Sequence, residues 1–368
     1  MAKLVRTEEE TMLAEMARGF LDGAAPVGHL RKLRDANETH DPVLWTQMVD
    51  MGWPGILIPE DAGGSDMGFS AACVLAQEMG KTLATSPFLS TAVIAATALR
   101  QAGDTLAMQA IATGQSIYAL AIDEHAKFAP ESTQLVATAD GNGFQLIGQK
   151  AFVVDGGLAD RVLVLARTDG GLTLFDIAAN SAGLTTTQNN MIDSRDAAAL
   201  SFDNVVATGD DIVGTINDAM SVLQPALAAG QAALAAETIG LATAAMDMTV
   251  SYLKERSQFG VKISSFQALQ HRAAHLWCET EVTTSAVLNA GRALDENPCD
   301  ATLAVSLAKA RAIRTAKLAV VEGVQMHGGI GMTDEFDMGF YMKRARVAAE
   351  WLGDYGYHAE QIARLRGF

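Results

Sequence analysis

The spacing of apolar residues changes character twice along this chain, and that order restricts the folds open to it. Residues 7–100 carry apolar side chains at helical spacing. TEEETMLAEMARGFL starts with Thr7 as an N-cap and places acids in the first turn. WPGILIPEDAGGSDMG then breaks the pattern with Pro54, Pro59 and Gly63–Gly64, and FSAACVLAQEMGKTL resumes it to about Gly80. From about 117 the segments shorten. IYALAID, QLVATAD, FQLIGQKAFVV, DRVLVLART and LTLFDI are apolar and β-compatible, separated by Gly, Asp and Asn. DGNG at 140–143 predicts a hairpin turn, and AALSFDNVVA at 197–206 a closing strand. Helical spacing returns from 215 to 362 in long segments: about 217–256, one from near Ser264, 301–327 and 337–364. Pro225 marks a kink or a late start in the first of these. The expected fold is α+β and mostly helical. It has an N-terminal α-helical domain (1–117), a central antiparallel β domain (118–208) and a C-terminal four-helix bundle (209–368).

Charge and composition exclude some functions. With a net charge of −16 the chain lacks the basic balance of a nucleic-acid binder, and it is poorly suited to an anionic membrane surface. A local set of donors for an anionic small molecule is still compatible with it. The cysteines Cys73, Cys278 and Cys299 have no metal-type spacing and form no disulfide framework, so no metal site is expected. The N-terminal stretch carries acids throughout, and no run approaches the roughly 18 apolar residues of a membrane span. A cytoplasmic location is the expectation.

Four stretches carry more specific information. They are YLKERSQFGVKISSFQALQHRAAHL (252–276), VQMHGGIGMTDEF (324–336), GQKAFVVDGGLADRVLVLART (148–168), and MGWPGILIPEDAGG with the later LAQEMGKTLATSPFLS. Together, and in this order, they resemble the acyl-CoA dehydrogenase family across nearly the whole chain. The resemblance implies FAD held in extended form across a subunit interface, and tetramers built as pairs of dimers. It also implies acyl-CoA as substrate, and an electron-transfer flavoprotein or another acceptor for the electrons. Arg256 offers a fork of donors to a pyrophosphate. Gln267 reaches the adenosine, and Gln258 and Phe259 extend that wall. Gln325 to Gly329 approach the same FAD from a neighbouring subunit, Gly328 and Gly329 letting backbone amides come close to its oxygens. Read on their own residues, Arg256 is a surface salt-bridge candidate, although Tyr252 at i−4 supplies no acid, and the Gly pair is a helix C-cap. Phe152 to Val154 stand at the family's Trp-x-Thr beside the flavin ring. Phe152 takes the ring contact, and Val154 replaces the hydroxyl that reaches flavin N5. After AIDE, Glu124 matches the family's Glu, but EHAKFAPES lacks the usual Gly-Ser-Asp.

The family reaction removes the α proton of an acyl-CoA thioester while the β hydride passes to flavin N5. It requires a carboxylate of raised pKa. The usual position for that Glu falls on Leu352, beside Gly353, and the alternative position falls on Gly230. Two acids remain as candidate bases. Asp354 is either the base or the cap of a helix through YGYHAEQIARL. Glu237, in LAAETIGLA, is either a base raised by apolar surroundings or the partner of a basic group across the bundle. His327 and His358 are expected in structural roles. RARVAAEWLGDYGYHAEQ resembles a bacterial subgroup that includes subunits of heterotetrameric steroid-type acyl-CoA dehydrogenases, in which one subunit carries the base and the other completes the FAD site. Two readings follow. One is an FAD-dependent acyl-CoA dehydrogenase, a homotetramer using an unusual acid. The other is a non-catalytic, FAD-site-completing subunit of an α2β2 heterotetramer with a second acyl-CoA dehydrogenase-like chain.

Overall fold

Thr7 does what its sequence context predicts. Its hydroxyl accepts from the Glu10 amide at 3.1 Å, and the Glu10 carboxylate accepts from the Thr7 amide at 2.8 Å. This capping box starts α1 (Glu8–Ala24). The computed structural model describes residues 4–141, 143–297 and 300–368. Asn142 of the expected DGNG turn and Cys299 lie outside the described residues.

The expected fold class holds: helices, then a sheet, then a helical bundle. After α1 come α2 (Val27–Ala36), α3 (Pro42–Asp50), α4 (Gly68–Thr82), α5 (Ala96–Ala102) and α6 (Thr105–Ala112). The strands are β1 (Tyr118–Ala121), β2 (Val136–Asp140), β3 (Gly143–Val154), β4 (Arg161–Arg167), β5 (Leu172–Ala178), β6 (Leu184–Gln188), β7 (Ala197–Thr208) and β8 (Ile212–Val213). The C-terminal part holds α7 (Ala219–Glu255), a hairpin of β9 (Ser257–Gln258) and β10 (Val261–Lys262), α8 (Gln267–Glu296), α9 (Thr302–His327), α10 (Met338–Glu350) and α11 (Tyr355–Leu365).

Two details differ from the sequence reading. The helix expected over 337–364 is divided, because Leu352 (φ +59°) and Gly353 (φ +101°) turn the backbone into the left-handed region between α10 and α11. The sheet is also not purely antiparallel. Its order is β6-β7-β3-β2-β4-β5-β8, and β1 lies beside β4 and runs parallel to it from Tyr118↔Arg161 to Ala121↔Val164. α7 starts at Ala219 and continues through Pro225, so the proline does not delay the start. α7 is long and apolar enough to cross a membrane, but 72% of its apolar window is buried inside the protein, as expected of a core helix.

Contacts group the chain into two units. The first comprises Met1–Lys32, Phe69–Ala84 and Gln231–Phe368. Within it, α9 packs against α8, α10 and α11. Asp295 of α8 accepts from the amides of Phe69 (2.5 Å) and Ser70 (3.0 Å), so a carboxylate from another helix satisfies the free donors at the start of α4. α4 and α7 cross at backbone contact. A Cβ on Gly80 would lie 2.0 Å from the Glu237 carbonyl oxygen, and one on Gly240 2.0 Å from that of Gln77. Buried Glu78 of α4 ties α1 and the segment before it to α4 by binding Arg6, Arg18 and Lys81.

The second unit comprises Leu33–Gly68 and Thr85–Gly230. Leu146, Val153, Val164, Phe175, Leu200 and Phe202 form part of the core of its sheet. Lys150 of β3 is fully buried, and its ammonium sits 2.7 Å from Glu124 and also bonds Thr133. Glu124 accepts further from the amides of Gln134 (2.7 Å) and Leu135 (3.0 Å). Burial pushes the Glu124 carboxyl up, but the bonds from Lys150, Thr133 and the two amides outweigh it and hold the pKa at about 2, below its ordinary 4.5. A carboxylate depressed in this way stabilises the fold fully above its unfolded value and loses that contribution as pH falls toward 2. Urea unfolding between pH 5 and pH 2 is expected to show roughly 3 kcal/mol of acid-dependent loss from this site, and Glu124→Gln is expected to flatten that limb of the profile.

Candidate functional site

The RSQFG segment closes the C-terminal end of α7. The Arg256 amide bonds the Tyr252 carbonyl at 2.9 Å, and the Ile263 amide bonds the Arg256 carbonyl at 2.9 Å. Between these anchors β9 and β10 pair as a hairpin, with Val261 opposite Gln258 and Lys262 opposite Ser257. The turn is Phe259–Gly260, both with positive φ, the two-residue geometry that suits strand twist. A phenylalanine in the left-handed region is unusual, and such backbone strain is concentrated at ligand contacts. Phe259 is 91% exposed and meets Phe266 edge-on at 6.2 Å. Arg256, Gln258 and Gln267 are exposed. Arg256 makes no side-chain hydrogen bond or ion pair among the described residues, so the salt-bridge reading of this arginine finds no partner.

The second motif closes α9. Gly328 is its C-cap (φ +65°, ψ −140°), its amide bonding the Gln325 carbonyl. The C-cap reading of the Gly pair is therefore correct for Gly328. It does not account for Gly329. A Cβ at Gly331 would strike the Val324 carbonyl oxygen at 2.9 Å, whereas one at Gly328 or Gly329 would meet nothing within 4 Å. Gly331 is explained by packing and Gly328 by its backbone angle, but Gly329 is explained by neither. A bare backbone facing open space is what a close-approaching phosphate or ribose requires.

His327 stacks on Tyr252 at 4.5 Å. Tyr252 is one helical turn before Arg256, so the two motifs share one end of one unit. Their common position means that one chain can present Arg256, Gln258, Gln267, Gln325 and the bare Gly328–Gly329 backbone to one ligand. An unpaired guanidinium, exposed amides and an aromatic face fit the ADP half of FAD.

The ring-side residues lie in the other unit. Phe152 is half-buried on β3. Val154 pairs with Ala197 in the sheet and is 3% exposed, so it offers neither a hydroxyl nor open surface. Asp123 was not singled out by any motif. Its carbonyl accepts from the Ala151 amide at 2.8 Å, beside Phe152. Its Oδ1 is buried without a hydrogen bond, and burial, opposed by Lys150, pushes the carboxyl to about 6. Only a buried acid beside a buried lysine marks it, and pairing across strands is not readable from sequence.

Both candidate bases are engaged elsewhere in the fold. The Glu237 carboxylate lies 3.2 Å from the Arg344 guanidinium, with side chains 6% and 1% exposed. The expectation of apolar surroundings fails here, because Arg344 of α10 faces the acid from across the bundle. Asp354 caps α11, accepting from the Tyr357 amide at 2.8 Å. The usual base position is filled by buried Leu352, whose carbonyl is contacted by Gln231 Nε2 (3.1 Å) and His358 Nε2 (3.2 Å). Burial first, then the charge of Lys309, pushes His358 down to about 3, so this histidine is neutral and structural. Gly230, the other usual position, has no side chain and lies in the second unit. Removing one partner of a buried ion pair strands the other, so Arg344→Met is expected to cost roughly 3–5 kcal/mol in chemical denaturation. The double variant Glu237→Leu/Arg344→Met is expected to recover most of that loss. A silent single variant would show that the pair does not support the fold.

Comparison with known proteins identifies the family. The acyl-CoA dehydrogenase N-terminal domain matches residues 7–129, and the acyl-CoA dehydrogenase C-terminal domain matches residues 217–365. The chain is 32% identical to acyl-CoA dehydrogenase IpdE2 of Mycobacterium tuberculosis over 94% of its own length and 93% of that protein's. It is similar to a chain of the Tcur3481-Tcur3483 steroid ACAD (G363A variant), with 29% identity, 98% of each chain covered and a TM-score of 0.88. It also shares its fold with a chain of the ChsE4-ChsE5 complex from Mycobacterium tuberculosis, at 24% identity over 100% of both chains and a TM-score of 0.91. Motif order, fold and relatives converge, and this chain belongs to the acyl-CoA dehydrogenase family.

Proposed function

We propose that this chain is the FAD-site-completing subunit of a hetero-oligomeric acyl-CoA dehydrogenase, and that a second chain of the same family supplies the catalytic base. The observation that carries this reading is the state of the acids. Neither usual base position holds one, and both substitutes are committed, Glu237 to Arg344 and Asp354 to the start of α11. The ADP-side surface is complete in residue types, and the ring side offers Phe152 and a buried Val154. The substrate class we propose is a steroid-derived acyl-CoA. Supporting it are the C-terminal stretch and the similarity to a chain of a steroid ACAD assembled from two named components.

FAD, when bound, accepts the hydride. This chain's residues bind and orient it. The Arg256 guanidinium neutralises pyrophosphate charge, Gln258 and Gln267 hydrogen-bond the adenosine, and the Gly328–Gly329 backbone admits close contact. Exposed Trp277, Val282 and Val321 give α8 and α9 apolar surface suited to subunit contact.

One observation favours the competing reading of a homo-oligomer with its own base: Asp123, whose carboxyl has a buried, unbonded oxygen and a pKa near 6. The two readings separate on variants of the assembled, FAD-loaded complex. A general base contributes roughly 10²–10⁴ in rate. Glu237→Gln, Asp354→Asn and Asp123→Asn are each expected to keep kcat for α,β-desaturation within about threefold, far short of the loss of a base. Loss of desaturation by several hundredfold in any one of them, with FAD still bound, would assign the base to this chain and contradict the proposal.

A further inference from the structure

His327 sits where three segments meet at the ADP-side surface, and the mechanism above gives it no task. It is 3% exposed. Its Nδ1 lies 2.7 Å from the Gly323 carbonyl oxygen, which accepts from an Nδ1–H tautomer and leaves Nε2 as a bare lone pair. Tyr252 of α7 stacks on one side at 4.5 Å, and Phe336, from the turn before α10, packs at 4.6 Å. The 328–332 turn leaves directly from His327, and a Cβ built on Gly331 would lie 3.0 Å from His327 Cβ. The imidazole therefore ties the end of α7, through Tyr252, to the Phe336 segment at the residue from which the glycine turn starts.

We propose that His327 is a positioning residue for the cofactor: its neutral ring, packed between Tyr252 and Phe336, fixes the glycine turn so that the Gly328–Gly329 backbone is held ready for an ADP phosphate or ribose. This inference rests on the reading that the α7–α9 end holds the ADP half of FAD. Nε2 is buried and has no hydrogen-bond partner. A proton placed there is a buried donor with no acceptor. Burial holds the His327 pKa below the ordinary histidine range, outweighing the Gly323 bond that favours the cation.

The neighbouring charged groups do not compensate for a cation. Tyr252 is the titratable group in ring contact from α7. Glu322 on α9 is held 2.6 Å from Arg272. Asp334 and Asp337, flanking Phe336, are held by Arg31 at 3.6 and 2.7 Å. The sign follows. The ring is neutral and the turn ordered above the ordinary histidine range. As pH falls below that range, protonation opposes the packed geometry and weakens binding.

The test is ADP binding to the assembled complex after release of its FAD, followed by calorimetry from pH 8 to pH 5, with thermal unfolding recorded on the same samples. For the wild type, ADP affinity is expected to be flat through the ordinary histidine range and to fall only below it, by up to roughly tenfold per pH unit. His327→Phe keeps the ring contacts but cannot be protonated, so its profile is expected to be flat, with affinity at pH 8 within about threefold of the wild type. His327→Ala, without a ring, is expected to bind roughly tenfold more weakly at every pH. If all three proteins bind ADP alike at every pH while only thermal stability changes, His327 has a structural role and the inference is wrong. If the wild type binds no ADP even at pH 8, the site reading itself fails, and the inference with it.

Discussion

A carboxylate taken out of water must meet a cation and hydrogen-bond donors or give up its charge. In this protein Glu237, on the Ala-rich middle of α7, meets Arg344 of α10 across the bundle. Much of the C-terminal architecture is arranged around that pair. Glycines at 80 and 240 bring α4 to backbone contact with α7 at the same level, the Glu237 carbonyl itself lying against Gly80. α10 must reach the bundle interior for Arg344 to arrive, and it ends six residues later, at Glu350, where the chain turns through Leu352 and Gly353. Asp354 then caps the next helix. The two acids that could have served chemistry are thus used to hold helices in place, and the position where relatives carry a base is a buried leucine in a turn.

Much of this was legible in the sequence. The Thr7 capping box, the order of helical and β segments, the start of α9 and the capping role open to Asp354 all rest on short-range rules. Local hydrogen bonds and periodicity determine them. The parts that escaped depend on distant residues. Arg344 is 107 positions from Glu237, so an acid that looks isolated in LAAETIGLA is not isolated in space. Leu352 adopts a left-handed conformation that its side chain does not advertise, so a cap at Asp354 was legible but the residue that turns the chain before it was not. β1 and β2 both run parallel to β4, whereas β4 and β5 are antiparallel. Asp123 owes its raised carboxyl to burial, against the opposing charge of Lys150 on β3, and that burial is set by distant residues.

The candidate site shows the same division. The family resemblance pointed to Arg256, Gln258, Phe259, Gln267, Gln325, Gly328 and Gly329, and the fold gathers the two segments that carry them at one end of one unit. The reason is the Tyr252–His327 stack, which ties the end of α7 to the end of α9. The family resemblance implies that those segments come from neighbouring subunits, whereas the stack places both at one end of a single chain. On the ring side, the substitutions at 152 and 154 were visible, but the burial of Val154 was not. The ADP-side surface, the buried Val154 and the absence of an acid at the usual base positions are the observations on which the proposed role, completing a site begun on another chain, rests.

The most direct test of that claim is the FAD content per chain, read from visible absorbance after release of the flavin. The account predicts a nearly colourless protein when this chain is purified alone, and about one FAD per pair of chains when it is co-purified with a second acyl-CoA dehydrogenase-like subunit. Close to one FAD per chain in the protein purified alone would mean that identical subunits complete the site, and would contradict it.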